Sequence, residues 1–153
     1  MKMRPSPTAC DEERRRLEVL TINKDRKDCH ALRSIMRRTN WVYHCASSLE
    51  EALQSLKRHY VPVVICSQQL PDATWKDVIA AMGSFPIPPK VLVYSDQQDT
   101  AFLMDVLNAG GYDVALTPLD RDEVLRLIAL ACLKWKDDAK SLKQSLEAIR
   151  ATS

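Results

Sequence analysis

The chain has 153 residues, of which 46% are hydrophobic and 27% charged, and its formal net charge is +2. This composition suits one globular domain with a single core, and the near-balance of basic and acidic residues gives no argument for a nucleic-acid partner. No apolar run approaches the roughly 20 residues of a membrane span, and Met1–Pro7 lacks the apolar core of a signal peptide, so we expect no membrane partner.

Strands and helices are predicted to alternate after a polar, flexible tail over residues 1–15. Short apolar or β-rich runs predict five strands, at Leu17–Ile22, Trp41–Cys45, Val63–Cys66, Val91–Tyr94 and Val114–Leu116. Helical spacing predicts helices at Asp25–Arg38, from a Ser48/Glu51 capping box to Tyr60, at Trp75–Met82, at Thr100–Asn108 and from Asp120. This alternation favours a parallel sheet that is covered on both faces. The predicted fold class is α/β, a flavodoxin-like, doubly wound five-stranded parallel sheet of order 2-1-3-4-5.

The last helix is predicted to extend past Trp135, where the sheet no longer needs cover. Residues 136–153 contain no Gly or Pro, and apolar side chains recur at helical spacing, at Leu142, Leu146 and Ile149. We therefore expect one helix of about 30 residues over 120–150. An isolated apolar stripe is marginal in water. Two interpretations stay open: a frayed or folded-back tail, and a helical dimerisation or signalling element.

Five cysteines are scattered without the even count or spacing of a disulfide framework. Cys45, Cys66 and Cys132 lie in apolar patterns, which predicts buried thiols in a reducing, cytoplasmic setting. The neighbours Cys29-His30 and His44-Cys45 lack the spacing of a metal site, so we expect no metal there.

Landmarks at the strand ends carry a resemblance. The third strand runs into Ser67 and then Leu70-Pro71, the fourth ends at Ser95, and Ala109–Asp113 leads to Thr117-Pro118. With these landmarks the chain resembles the CheY-like receiver domain of response regulators, the module of two-component phosphorelay signalling. The resemblance implies a receiver-like domain over residues 16–135, followed by a helical extension over 136–153.

The resemblance also implies where a phosphorylation pocket should lie. Receivers accept a phosphoryl group on an aspartate after the third strand, hold Mg²⁺ with two acidic residues, and bind phosphoryl oxygens through a Ser or Thr and a Lys. This chain departs from that pattern at most positions. The matching residues are Ser67 at the acceptor, Asn23 and Lys24 at the acidic pair, Thr117 at the lysine, Val114 at the aromatic switch position, and Ser95, which alone fits.

These departures predict a degenerate pseudo-receiver pocket. Phosphoryl transfer needs a nucleophilic carboxylate and a cation, and Mg²⁺ prefers carboxylate ligands. Lys24 would repel Mg²⁺, and no base is placed to activate Ser67. We expect Mg²⁺ binding to be lost, no other cofactor, and no enzymatic activity. Lys24 is either a solvated loop residue or a cation that replaces Mg²⁺ by bonding Ser67 or loop carbonyls.

Four further residues are predicted to edge the pocket. Asp25, Asp72 and Asp96 lie on its loops, and each is expected to be a turn or helix-cap residue. Trp75 stands where receivers usually carry a small residue. We expect it to pack on the surface of the third helix or to cover the vacant pocket.

The sequence thus predicts a signalling module that acts by protein–protein interaction or self-association. The expected surface combines the fourth helix, fifth strand and fifth helix with the C-terminal extension. The alternative is a phosphorylatable receiver with a non-standard acceptor, Asp72 or Ser67. A small flavodoxin-like enzyme or nucleotide binder is disfavoured because Asn23–Asp25, after the first strand, contains no glycine.

Overall fold

The computed structural model describes residues 16–96 and 99–152, so the tail predicted over residues 1–15 lies outside the described residues. Strands and helices alternate in the order β1 (Glu18–Ile22), α1 (Arg26–Met36), β2 (Val42–Ala46), α2 (Leu49–Arg58), β3 (Val63–Ser67), α3 (Trp75–Met82), β4 (Lys90–Ser95), α4 (Thr100–Asn108), β5 (Asp113–Leu116) and α5 (Arg121–Thr152). All neighbouring strands pair in parallel, in the order β2-β1-β3-β4-β5. The predicted fold class and sheet order are confirmed.

Side-chain caps begin the helices near the points that the sequence predicts. The Ser48 hydroxyl accepts a hydrogen bond from the Glu51 backbone N–H, at 3.2 Å, as expected of a helix N-cap. The second half of the predicted capping box is wrong, because the Glu51 carboxylate accepts from the Ser47 hydroxyl instead, at 2.8 Å. At α3 the Asp77 carboxylate accepts from the Thr74 backbone N–H, at 2.9 Å, which satisfies a donor that the helix leaves unpaired.

The sheet is covered on both faces by separate apolar clusters. One face packs against α2, α3 and α4, with Leu20, Val64, Val78, Val93 and Val106 among its buried members. The other face packs against α1 and α5, and its buried members include Val19, Leu32, Ile65, Leu92 and Ile128. Because successive strand residues point to opposite faces, β1, β3 and β4 contribute to both clusters. This explains their nearly unbroken apolar runs.

Helix α5 extends well beyond the sheet. It has 32 residues, which corresponds to about 48 Å of helix. Its contacts with the sheet-bearing part of the chain continue to Asp138, whose carboxylate lies 2.5 Å from the Lys90 ammonium. Beyond that point Leu146 is 53% exposed. The expectation of one long C-terminal helix is confirmed. None of the helices in the described ranges is both long and apolar enough to span a bilayer.

Candidate functional site at the carboxyl edge of the sheet

Three buried polar side chains meet where β1, β3 and β4 end. The strand register pairs Ile22 with Cys66 and Ser67 with Tyr94, so Asn23 follows β1 beside Ser67. Asn23 is 4%, Ser67 8% and Tyr94 4% exposed. The sequence placed Asn23 and Ser67 together correctly, but it did not single out Tyr94.

Tyr94 is a buried hydrogen-bond partner of Asn23. The Tyr94 hydroxyl donates to Asn23 Oδ1 at 2.8 Å, and Asn23 Nδ2 donates to Thr21 Oγ1 at 3.2 Å. Burial raises the pKa of Tyr94, and the negative charge of Asp28 raises it further, so the phenol remains a protonated donor near neutral pH. A signal was present in the sequence, because a tyrosine inside a buried strand needs a partner for its hydroxyl.

The two serines are also satisfied by neutral partners. Ser67 Oγ donates to the Gln69 carbonyl oxygen at 2.9 Å, and Ser95 Oγ donates to Gln68 Oε1 at 3.0 Å. Both bonds join the strand ends to the loop that follows β3. Ser67 therefore anchors the loop that follows β3 by a hydrogen bond to a neutral group.

Thr117 and Val114, at the expected lysine and switch positions, supply no positive charge to the pocket. Thr117 is half-buried, and its backbone N–H donates to the Ser95 carbonyl oxygen at 2.9 Å. Val114, at the switch position, is half-buried and packs against the cluster under α2, α3 and α4. Because valine has no hydroxyl, Val114 cannot switch between a buried hydrogen bond and solvent as a tyrosine at this position could.

Lys24 lies outside the buried pocket. Its side chain is exposed, and within residues 16–96 and 99–152 its ammonium makes no hydrogen bond or ion pair. This placement matches a solvated loop lysine. It gives no support to the hypothesis that Lys24 replaces Mg²⁺.

The three rim aspartates occupy different positions. Asp25 is the N-cap of α1 and accepts from the Lys27 backbone N–H, as expected of a cap. The Asp72 carboxylate binds the N-terminus of α2, where it accepts from the backbone N–H groups of Leu49 and Glu50, at 3.0 and 3.1 Å. The hydrogen bond from Leu49 holds the pKa of Asp72 below its usual range. Asp96 is exposed at the end of β4.

Trp75 is a core residue, so its predicted position on the surface of the third helix is wrong, whereas its covering of the pocket stays a prediction. It is 8% exposed and belongs to the cluster under α2, α3 and α4. Its ring meets the Phe102 ring edge to face, with 5.6 Å between centroids. The first turn of α3 faces α4 at this point, which gives the indole an apolar site that the local sequence does not reveal.

These residues do not fit Mg²⁺. The Asn23 carbonyl oxygen, which stands at the acidic pair, already accepts the Tyr94 hydroxyl, and Ser67 donates to its own loop. Mg²⁺ takes octahedral oxygen sites that usually include carboxylates, and neither residue supplies one. The hydrogen bonds of Asn23 and Ser67 join neutral groups, and the Asp28 carboxylate borders them beside Tyr94.

A second polar cluster lies where α1 packs beside β2. The thiols of Cys29 and Cys45 approach within 3.0 Å, and the Cys29 thiol lies 3.7 Å from the Tyr43 hydroxyl. Cys66 and Cys132 are buried as predicted, but Cys45 is exposed, so that prediction is wrong. The reason is position, because β2 is an edge strand and its apolar appearance does not imply cover on both faces.

A third cluster lies at the opposite end of β1 and was missed because its members are distant in sequence. The Glu18 carboxylate, 10% exposed, lies 3.0 Å from His44 Nε2 and 3.5 Å from His59 Nδ1. The two imidazole rings stack with centroids 4.1 Å apart. The imidazoles give this nearly buried carboxylate polar partners, which offset the cost of its desolvation.

Comparison with known proteins agrees with the geometry. No protein-family model matches the chain. The transcriptional regulatory protein NarL of Mycobacterium tuberculosis, named as probable, is 28% identical over 86 residues, 56% of this chain and 39% of NarL. The chain therefore matches less than half the length of this curated relative.

Solved structures match a larger share of the chain. The receiver domain of an HD domain-containing protein from Pseudomonas fluorescens Pf-5 has a TM-score of 0.74 and 21% identity, covering 82% of this chain and 93% of that one. A CheY-like receiver domain protein from Methanospirillum hungatei JF-1 has a TM-score of 0.70 and 15% identity, covering 81% of this chain and 99% of that one. The beryllofluoride-activated NtrC4 receiver domain dimer has a TM-score of 0.70 and 19% identity, covering 77% of this chain and 98% of that one. The fold is that of the CheY-like receiver domain of response regulators.

Proposed function

We propose that this protein is a receiver-like signalling module of the two-component type that is not phosphorylated at the usual site. It acts in the cytoplasm, as a binding protein rather than an enzyme. The observation that carries this proposal is the hydrogen bond from Tyr94 to Asn23, because it engages the one side-chain oxygen that Asn23 could offer to a cation. Ser67, held by its own loop, stands where the phosphoryl acceptor is expected.

The alternative, a receiver with a non-standard acceptor, has weaker support. The Asp72 carboxylate accepts two backbone hydrogen bonds at the N-terminus of α2, which stabilise its charge and lower its nucleophilicity. The Ser67 hydroxyl donates to a carbonyl oxygen, and the groups bonded to it include no base. Both candidate acceptors are thus engaged in structural contacts.

Intact-mass analysis after incubation with acetyl phosphate and Mg²⁺ tests the proposal. We expect no phosphoryl adduct under conditions that label a receiver domain with an aspartate acceptor. An adduct that Asp72→Asn removes and hydroxylamine releases would establish the alternative acceptor. An adduct that Ser67→Ala removes and hydroxylamine leaves intact would establish phosphoserine.

The interaction surface is proposed along α4, β5, α5 and the extension of α5. Met104 and Leu107 on α4 are 48% and 42% exposed, and Leu130 and Leu133 on α5 are 42% and 59% exposed. Leu146 continues the exposed apolar side chains into the extension. These helices flank the edge strand β5 from opposite faces of the sheet. Apolar side chains this exposed are typical of surfaces that bind a protein or a second copy of the chain.

Light scattering of the full chain and of a protein ending at Lys140 tests the extension. This end point retains the contact of Asp138 with Lys90, so the folded domain keeps its anchor. We expect a larger assembly for the full chain than for the shortened protein if the extension mediates self-association. Equal numbers of protomers in both would remove self-association through the extension and leave binding to another protein.

A further inference from the structure

Cys29 and Cys45 are placed to react with each other. Cys29 lies in the first turn of α1 and Cys45 in β2, and their Sγ atoms are 3.0 Å apart. The side chain of Cys45 is exposed and that of Cys29 is half-buried, so a small oxidant reaches the pair from solvent. A disulfide needs a separation of roughly 2.05 Å, so the sulfur atoms must approach by only about 1 Å.

The surroundings of the two thiols shift their pKa values in opposite directions, so that one thiol ionises more readily than the other. Burial opposes ionisation of Cys29, but hydrogen bonds with Cys45 and Tyr43 and the positive charge of Arg33 hold its pKa below the ordinary value. Partial desolvation of its sulfur by neighbouring side chains and the hydrogen bond with Cys29 raise the pKa of Cys45, although the residue as a whole is exposed. The thiolate is the nucleophilic form, so Cys29 is the attacking sulfur and Cys45 the resolving one.

We propose that Cys29 and Cys45 form a redox-sensitive pair that closes to a reversible disulfide when hydrogen peroxide oxidises it. The Cys29 thiolate attacks the distal peroxide oxygen, the O–O bond breaks, and the hydroxide released is protonated to water. The resulting sulfenic acid is attacked at sulfur by Cys45, the S–O bond breaks, and a second water leaves with the Cys45 proton. Two thiols are oxidised and one hydrogen peroxide is reduced; a dithiol reopens the bond by exchange.

The pair borders the candidate pocket through Tyr43 and Asn23. The Tyr43 hydroxyl lies 2.7 Å from Thr21 Oγ1 and 3.7 Å from Cys29 Sγ, while Asn23 Nδ2 lies 4.0 Å from Cys45 Sγ. A disulfide here joins α1 covalently to edge strand β2 beside this network. The proposal does not depend on whether the pocket accepts phosphate.

Peptide mapping of the full chain tests the proposal directly. Trypsin places the two cysteines in separate peptides with no other cysteine, Asp28–Arg33 and Thr39–Lys57. After brief treatment with hydrogen peroxide, we expect these peptides to be linked in a non-reduced digest and separated by dithiothreitol. Absence of the link under conditions that oxidise Cys29, or linkage of either cysteine to a different one, overturns the proposal.

Single variants test the order of the two steps. In Cys45→Ser we expect a sulfenic acid at Cys29 that a dimedone probe traps, and in Cys29→Ser we expect neither the link nor trapping at Cys45. Cys132→Ser, which removes a buried thiol, is the matched control and should retain the link. Trapping at Cys45 alone in the wild-type chain would overturn the assignment of Cys29 as the attacking thiol.

Discussion

Replacing Tyr94 by Phe removes one hydroxyl from the candidate pocket and leaves the ring in place. Asn23 Oδ1 then loses the donor that lies 2.8 Å away, in a side chain that is only 4% exposed. A buried acceptor without a donor costs about 1 to 3 kcal/mol, partly offset because the phenol no longer has to be desolvated. We expect the free energy of unfolding to fall by about 1 to 2 kcal/mol, and Tm by about 2 to 8 °C for a domain of this size.

Urea unfolding of a double-mutant cycle measures this contact. The cycle comprises the wild type, Tyr94→Phe, Asn23→Ala and the double variant, and we expect a coupling energy of about 1 kcal/mol. Tyr112→Phe is the matched control, because the half-buried Tyr112 makes no side-chain hydrogen bond within the described part of the chain. A coupling energy below about 0.3 kcal/mol, or equal costs for both Tyr→Phe changes, would refute the reasoning.

Two further predictions concern packing and charge. Gly111→Ala should lower the free energy of unfolding by about 1 to 3 kcal/mol, because the new Cβ would lie 3.0 Å from the Val106 carbonyl oxygen and 2.5 Å from Val106 Cγ1. Gly83→Ala, whose Cβ would have its nearest atom at 3.4 Å, is the control and should cost less. Equal costs of the two changes in urea unfolding would contradict this. Asp138→Asn should lower the free energy of unfolding at neutral pH by at most about 1 kcal/mol, with a small fall in Tm. The effect is small because the Asp138 carboxylate is partly exposed, so that solvent screens its attraction to Lys90. The Lys90 hydrogen bond lowers the pKa of Asp138, so its contribution is present above the unfolded value and lost as pH falls through the folded value. The two melting temperatures should therefore converge as pH falls below the folded pKa of Asp138, and a difference that does not shrink with falling pH would contradict the ion pair as its source.

Local sequence patterns predict the strands and helices because the inner strands β1, β3 and β4 are apolar on both faces and the helices that cover them are amphipathic. The bounds of α3 and α4 agree residue for residue with the prediction, since Gly83 and Gly110 end the apolar periodicity close to where the helices end. The sheet order follows from right-handed crossovers, which leave few arrangements for five strand–helix units.

Side-chain contacts between distant segments could not be obtained in this way. Tyr94 was counted as one more strand residue, although its hydroxyl completes the pocket across two strands. The loop position of Asp72 predicts a place at the pocket rim, and only the structure shows that the N-terminus of α2 lies close enough to bind its carboxylate. Cys45 was predicted to be buried because local pattern does not distinguish an edge strand from a central one.

The most direct test of the central claim is a titration of the ¹⁵N-labelled full chain with Mg²⁺ and then beryllofluoride, followed by amide chemical shifts. We predict no saturable shift at the amides of Asn23, Ser67 or Ser95, because the side-chain oxygens of Asn23 and Ser67 are engaged in hydrogen bonds and none of these three residues supplies a carboxylate. Saturable shifts at these amides, or at Asp72, would contradict the account and return the protein to the class of phosphorylatable receivers.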